Sequence, residues 1–181
     1  MTLIENKIKV FFDTNVVIDA FTLRDMNYRD SYHLMMLVLD GKIKGYICSK
    51  QITDIYYILR KYISDDAKRK SITQDISQVF EMLPLLPMDI KQSFNTEIKD
   101  YEDAVLAEIA KVNCINFLVT QNVEDYKNSS VYAITPTELY NFIINNKLIW
   151  FYFFFSSGVV KHHNWEEEDI YQIVDCFNKW I

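Results

Sequence analysis

Residues 8–19 read Ile-Lys-Val-Phe-Phe-Asp-Thr-Asn-Val-Val-Ile-Asp, and the fold is decided there. A short apolar strand over Lys9–Phe12 runs straight into an acid, Asp13, and from Val16 to Phe21 the chain begins a helix or turn. The same alternation recurs downstream. Tyr28 to Leu39 reads as a helix closed at Gly41. Tyr46 to Cys48 is a second short strand, after which Ser49 is placed to cap a helix reaching about Tyr62, with Ile52, Ile55, Leu59 and Tyr62 on one stripe. Asp66 to Met82 reads as a further helix with Ile72, Ile76, Val79, Phe80 and Leu83 inward. Pro84 and Pro87 then bracket a short strand at Leu85 and Leu86.

Tyr101 to Val112 is helical by the spacing of Val105, Leu106, Ile109 and Val112, Phe117 to Thr120 is a buried strand, and Val131 to Ile134 is another. Thr135-Pro136-Thr137-Glu138 is a capping box with proline at the first helical position, opening a helix to about Asn146. Parallel strands need crossover helices, and those helices cover both faces of the sheet. The expected architecture is therefore α/β: a three-layer α/β/α domain around a small parallel sheet. Ligands in such sheets bind beyond the carboxyl ends of the strands.

With 181 residues, half of them apolar, the chain is long enough to bury a substantial core and too short to promise two independent domains. Only three glycines and three prolines interrupt it, and no repeat or low-complexity linker is present. Cys48, Cys114 and Cys176 are odd in number and widely spaced, which argues against a disulfide framework or a zinc site and fits a reducing cytoplasm. The longest apolar run, Leu148 to Phe155, is far below the roughly 20 residues of a membrane span, so a soluble protein without a membrane partner is expected. The net charge of −6 runs against simple phosphate binding. Arg60, Lys61, Lys68, Arg69 and Lys70 offer either a local basic rim or an ordinary solvated helix surface.

The rule about strand ends singles out Asp13, Asp103 and the loop from Asn122 to Asp125. Taken singly, each has a plain structural reading; Asp103, in the first turn of its helix, is favoured there by the helix dipole. Together they form a pattern: Phe12-Asp13-Thr14-Asn15-Val16-Val17-Ile18-Asp19, then Ile52-Thr53-Asp54-Ile55-Tyr56-Tyr57, then Asp100-Tyr101-Glu102-Asp103-Ala104, then Val119-Thr120-Gln121-Asn122-Val123-Glu124-Asp125-Tyr126. In this order and spacing they resemble the PIN domain family (the PilT N-terminus-like domains), close to its bacterial, toxin-type ribonuclease branch. The resemblance spans roughly residues 8 to 145.

The resemblance implies a metal-dependent ribonuclease with an acidic pocket at one end of the sheet. Carried over by position, Asp13 becomes the first metal ligand, Asp54 the helical acid, Asp103 the third, and the loop of Asn122 and Asp125 the fourth, with Mg2+ or Mn2+ as cofactor. The chain departs from the family pattern twice. The helical acid is usually glutamate, one methylene longer than Asp54, and the fourth position, often an acid, holds Asn122, leaving Asp125 as the nearest charge. Thr14 and Asn15 are expected either to order solvent at the ion or to cap the following helix, Thr120 to orient a carboxylate or phosphate, and Asp19, Asp100 and Glu102 to support the ligands or merely the local structure.

The chemistry stands apart from the family name. Magnesium is a hard cation held by a few carboxylates around an open face, and it activates water while neutralising charge on a phosphodiester. Carboxylates gathered without a cation raise one another's pKa, so that corner should be destabilised until metal is added. His33 reads as packing or surface, and the His162-His163 pair lacks the spacing of a zinc site.

From residue 147 the chain leaves the resemblance, giving a division into 1–146, the nuclease-like domain, and 147–181, a C-terminal segment. Its aromatic run, Leu148 to Phe155, demands cover. Asn164 and Glu167 cap a final helix with Ile170, Ile173, Val174, Phe177, Trp180 and Ile181 on its stripe. Either this segment packs on its own domain or it makes a dimer or partner surface. The leading functional expectation is an endoribonuclease of the toxin type with RNA as substrate, an antitoxin as partner and a homodimeric state. The alternatives are a non-catalytic RNA-binding or regulatory module of the same fold and, less well supported, a phosphoacceptor receiver domain.

Overall fold

A computed structural model describes residues 7–22 and 28–145. The C-terminal segment expected from residue 147, together with His162 and His163, lies outside the described residues. Strand β1 (Lys9–Phe12) leads into helix α1 (Thr14–Thr22), α2 (Tyr28–Leu39), β2 (Lys44–Cys48), α3 (Ser49–Leu59), α4 (Asp66–Val79) and β3 (Glu81–Leu83). There follow α5 (Pro87–Ser93), α6 (Tyr101–Val112), β4 (Phe117–Val119), a 3-10 turn (Val123–Tyr126), β5 (Ala133–Ile134) and α7 (Pro136–Asn145). The five strands pair in parallel in the order β3-β2-β1-β4-β5. The chain therefore runs outward from the centre, returns, and runs outward the other way; β1 and β4 flank the point where the order reverses, and a crevice opens at their carboxyl ends.

Alternation along the strands builds two cores. Val10, Phe12, Ile47, Phe117, Val119 and Ile134 face one layer, where they meet Val16, Val17 and Ile18 of α1, Leu34 of α2 and Ile55 and Leu59 of α3. Phe11, Tyr46, Cys48 and Leu118 face the other, against Val105, Leu106 and Ile109 of α6 and against Tyr126. A strand buried on both faces has little room for polar residues, which is why β1 and β4 read as continuous apolar runs. This is the expected three-layer α/β/α arrangement. Among the described residues no helix is long and apolar enough to cross a membrane.

Several boundaries differ from the sequence reading. Helix α4 stops at Val79, and Met82 lies in β3, so the strand falls at Glu81–Leu83 and not at Leu85 and Leu86. Parallel pairing of Tyr46, Ile47 and Cys48 with Glu81, Met82 and Leu83 overrides the helical spacing of that stretch. The prolines instead precede a helix, α5, that the sequence reading passed over; Pro87 is its first residue and the Asp89 carboxylate accepts the Leu86 N–H at 2.8 Å. Helix α3 ends at Leu59, leaving Tyr62 exposed, and Val112 is exposed at the end of α6. Ser49 is not the cap of α3: it is the first helical residue, and the cap is Cys48, whose N–H donates to Gln51 Oε1 at 2.6 Å. The capping box ahead of α7 is as read, with the Thr135 N–H and hydroxyl both donating to Glu138.

Two glycines hold the join between α2 and β2. Gly41 turns the chain out of α2 at φ 65°, a left-handed conformation that other residues resist. Gly45 lies in β2 beneath α2, where an added Cβ would sit 2.7 Å from a Val38 methyl and 2.9 Å from the Phe80 ring. Gly45→Ala is expected to lower stability by about 1–3 kcal/mol through overpacking, read as a fall in the urea midpoint with an unchanged slope.

Candidate functional site

Strand register creates the site. Phe12 pairs with Val119, so the next residues on each strand, Asp13 and Thr120, emerge side by side at the carboxyl edge. The Asp13 N–H continues the ladder by donating to Val119 O at 3.0 Å, and the Thr120 N–H donates to Ile134 O at 3.0 Å. Both side chains are buried, and the Thr120 hydroxyl donates to Asp13 Oδ2 at 2.8 Å. Burial pushes the Asp13 carboxyl above its ordinary pKa, against the hydrogen bonds from Thr120 and the Asn15 and Thr14 backbone; the Glu102 charge pushes it further up. A carboxylate that is hydrogen-bonded on one side and still electrostatically dissatisfied is suited to a cation.

Helix α6 delivers the second acid. Asp100 caps the helix, its carboxylate accepting the N–H groups of Glu102 at 2.8 Å and Asp103 at 3.3 Å. This fixes the first turn so that Asp103 meets the buried Tyr126, whose hydroxyl donates to Asp103 Oδ1 at 2.7 Å. Burial raises the Asp103 pKa to about 6, the Tyr126 bond opposes this, and the charges of Asp13, Asp100 and Asp125 add to it. Tyr126 is a site member that sequence reasoning missed, although it closes the Val119–Tyr126 stretch. Its apolar ring belongs to the core beneath α6 and only its hydroxyl reaches the pocket.

The 3-10 turn carries the fourth expected position. Asn122 is exposed; its backbone N–H donates to Thr120 Oγ1 at 3.1 Å and its carbonyl accepts the Asp125 N–H at 3.1 Å. Asp125 is likewise exposed and acts on Asp103 through its charge. On the opposite flank, Asp54 on α3 is half-buried and ion-paired with Lys50. Thr14 is buried as the first residue of α1 and accepts a hydrogen bond from Gln51 at 3.0 Å, whereas the Asn15 side chain is exposed. Gln51 also donates to Phe12 O at 2.9 Å, so one fully buried amide ties the end of β1 to the starts of α1 and α3 on either side of Asp13. Asp19, at 1% exposure, faces Gln121 Nε2 at 3.4 Å. The basic rim is not assembled as sketched: Arg69 is buried, its guanidinium spent on Ile63 O, Ser64 O and Asp66.

A model of the PIN domain matches residues 9–124. The chain belongs to the PIN domain family. It is 26% identical over 138 residues to Ribonuclease VapC1 of Aquifex aeolicus (strain VF5), an alignment covering 74% of this chain and 94% of that protein. A structure of VapBC2 from Rickettsia felis bound to a DNA fragment from their promoter superposes with TM-score 0.55 at 16% identity, covering 70% of this chain and 97% of that one. A toxin-antitoxin complex from Klebsiella pneumoniae gives TM-score 0.52 at 21% identity, covering 70% and 97%. These two structures share the fold.

In this PIN domain no group of three His, Cys, Asp or Glu side chains among the described residues forms a ready-made metal cage. Magnesium does not require one. It keeps several waters and is commonly held by one or two carboxylates together with substrate phosphates. The chemistry of the donors fits that mode: Asp13 and Asp103 are both half or more buried, act on one another electrostatically, and have further acids around them. The hydroxyl of Tyr126 is part of this balance. Tyr126→Phe is expected to raise the Asp103 pKa further above its already elevated value, as read by carboxyl NMR titration of the metal-free protein. An unchanged titration would remove Tyr126 from the site.

Proposed function

We propose that this PIN domain is a metal-dependent endoribonuclease that hydrolyses RNA phosphodiester bonds and acts as the toxin of a toxin-antitoxin pair. The observation that carries the reading is the placement of a buried carboxylate, Asp13, and a half-buried one, Asp103, whose charges act on one another, at the carboxyl edge where the strand order reverses. The family membership and the name of the VapC1 relative support ribonuclease chemistry, and the complexes among the structural relatives support an antitoxin partner.

Mg2+ or Mn2+ bound here would lower the pKa of water and neutralise charge on the scissile phosphate. Asp13 and Asp103 are the proposed donors, with Asp125 adding negative charge from the turn, while Asp54 on α3 is engaged by Lys50. Thr120 holds one Asp13 oxygen and thereby aims the other. Tyr126 holds one Asp103 oxygen in the same way, and Asp100 fixes the turn from which Asp103 projects. Gln51 locks the backbone on both sides of Asp13, so the carboxylate cannot drift as charge develops on the substrate. Thr14 acts through its hydrogen bond with Gln51, and the Asn15 N–H and the Asn122 loop shape the rim. A second copy of the chain is a further proposed partner.

The test is incubation of the purified protein with a mixed pool of single-stranded and hairpin RNAs in Mg2+, Mn2+ or EDTA. Cleavage in either metal and none in EDTA is expected. RNA binding without cleavage in any metal would instead favour a regulatory RNA-binding module, the reading to which the engaged Asp54 and the uncharged Asn122 point. The toxin role is checked by expression in bacteria: growth arrest is expected, relieved by Asp13→Asn.

A further inference from the structure

Lys50 is a cationic side chain at this pocket whose presence the acid pattern does not account for. It is the second residue of α3, immediately beyond the carboxyl end of β2. Its ammonium contacts Asp54 Oδ2 one turn along the same helix and lies 3.5 Å from Glu102 Oε1. Glu102 belongs to the first turn of α6, the turn that presents Asp103, and its charge reaches Asp13. One cation thus spans the pocket from α3 to α6 between acids 48 residues apart in sequence (102 − 54). An isolated exposed i,i+4 pair contributes little. This one is different in its placement, because it sits on the carboxylate that the α3 side has to offer a metal, and it has a second acid on its far side.

A carboxylate oxygen engaged by an ammonium is not available to a hard cation, so the two compete for Asp54. The bridge leaves the α3 flank charge-satisfied except for one unit, since Lys50 offsets one of the two acids it touches. Among the described residues no cation meets the Asp13–Asp103 flank: the groups on those carboxylates are the Thr120 and Tyr126 hydroxyls and, at Asp13, the Asn15 and Thr14 backbone N–H groups. The asymmetry is built into the chain. We propose that Lys50 is the resident cation of the α3 side, occupying Asp54 and Glu102 so that the pocket binds a single divalent ion on the Asp13–Asp103 side and Asp54 becomes a metal donor only when the ammonium is removed. This rests on the metal-dependent reading given above. It also accounts for the short acid at position 54, which needs to reach only as far as Lys50.

Calorimetric titration of the full chain with Mn2+, in the absence of RNA, tests it. The proteins are the unaltered chain, Lys50→Met, Asp54→Asn, the double variant, Lys50→Arg and Asp13→Asn. The unaltered chain is expected to bind one equivalent, with Asp13→Asn abolishing the heat. Lys50→Met should bind Mn2+ roughly tenfold more tightly or gain a second equivalent, a coupling of ordinary size between two ligands of one site. Asp54→Asn should change the affinity of the unaltered chain less than about twofold and cancel the gain in the Lys50→Met background, a non-additivity that simple removal of surface charge does not produce. Lys50→Arg should behave as the unaltered chain. Binding that depends on Asp13 but is indifferent to Lys50→Met, or that Asp54→Asn weakens equally in both backgrounds, overturns the role of Lys50 and leaves the metal site standing. Absence of any Asp13-dependent binding overturns both.

Discussion

Asp13→Asn is expected to reduce RNA cleavage on the order of a thousandfold while leaving the fold intact, the scale seen when a group indispensable to transition-state stabilisation is removed. The expectation follows from position. Asp13 leaves β1 directly beside Thr120, is almost fully buried, and has one carboxylate oxygen held by the Thr120 hydroxyl. Asparagine preserves the shape, its carbonyl oxygen can accept the Thr120 hydrogen bond, and the ladder between β1 and β4 is made by backbone groups that the substitution leaves in place. What is lost is the charge. Because burial holds the Asp13 carboxyl above its ordinary pKa, the variant should be at least as stable as the unaltered protein in EDTA. A cleavage rate within tenfold of normal, or a collapse in stability, would show that Asp13 serves the structure and not the reaction.

The second large effect is on stability in response to pH and metal. Asp103 has its folded pKa raised to about 6 from 3.8, and Asp13 is shifted in the same direction. Between those values the folded state binds more protons than the unfolded one, so stability falls as pH rises. The contribution is fully present below about pH 4 and is lost by about pH 7. For a half-buried group such as Asp103, solvent screening reduces the loss to about 1–2 kcal/mol. Asp13 adds to it in the same sense. Saturating Mn2+ at pH 7.5 should restore stability, by about 2.7 kcal/mol at a hundredfold excess over Kd. That corresponds to a rise in Tm of about 5–10 °C. Thermal scans in EDTA and in Mn2+ from pH 4 to 8 should diverge above pH 6 and converge toward pH 4. Parallel curves would mean that the pocket acids are not what the ion binds.

Much of this was legible in the sequence, for reasons that individual residues make plain. β1 and β4 are buried on both faces, so Lys9–Phe12 and Phe117–Val119 stand out as apolar runs, and the acid or threonine ending each marks the pocket. Helix α6 was equally clear, since the Val105–Ile109 spacing and the acids of its first turn agree. β3 was hidden because Glu81 and Met82 lie at an edge and are exposed, so nothing in their pattern breaks the helical period of α4. Its strand character comes from pairing with β2, a tertiary fact. α5 was missed because two prolines suggested a strand boundary, whereas one of them starts the helix.

Within the site, the Thr120 hydroxyl meets Asp13 directly and the Asp13 charge reaches Asp103, contacts that follow from the ends of β1 and β4 and the start of α6. Tyr126 and Gln51 escaped notice because their functional atoms sit at the ends of otherwise buried side chains, and a buried tyrosine or glutamine has no periodic signature. The bridge from Lys50 to Asp54 and Glu102 joins α3 to α6, and no local pattern reports on a contact between two helices.

The central claim is that Asp13 and Asp103 jointly hold one divalent cation, and anomalous diffraction from crystals of the protein soaked in Mn2+ tests it most directly. A manganese peak about 2.1 Å from oxygens of both carboxylates, absent from crystals of Asp13→Asn, is the result predicted. A well-ordered pocket with no peak between those two side chains at millimolar Mn2+, or with the peak bound only to other residues, would contradict it.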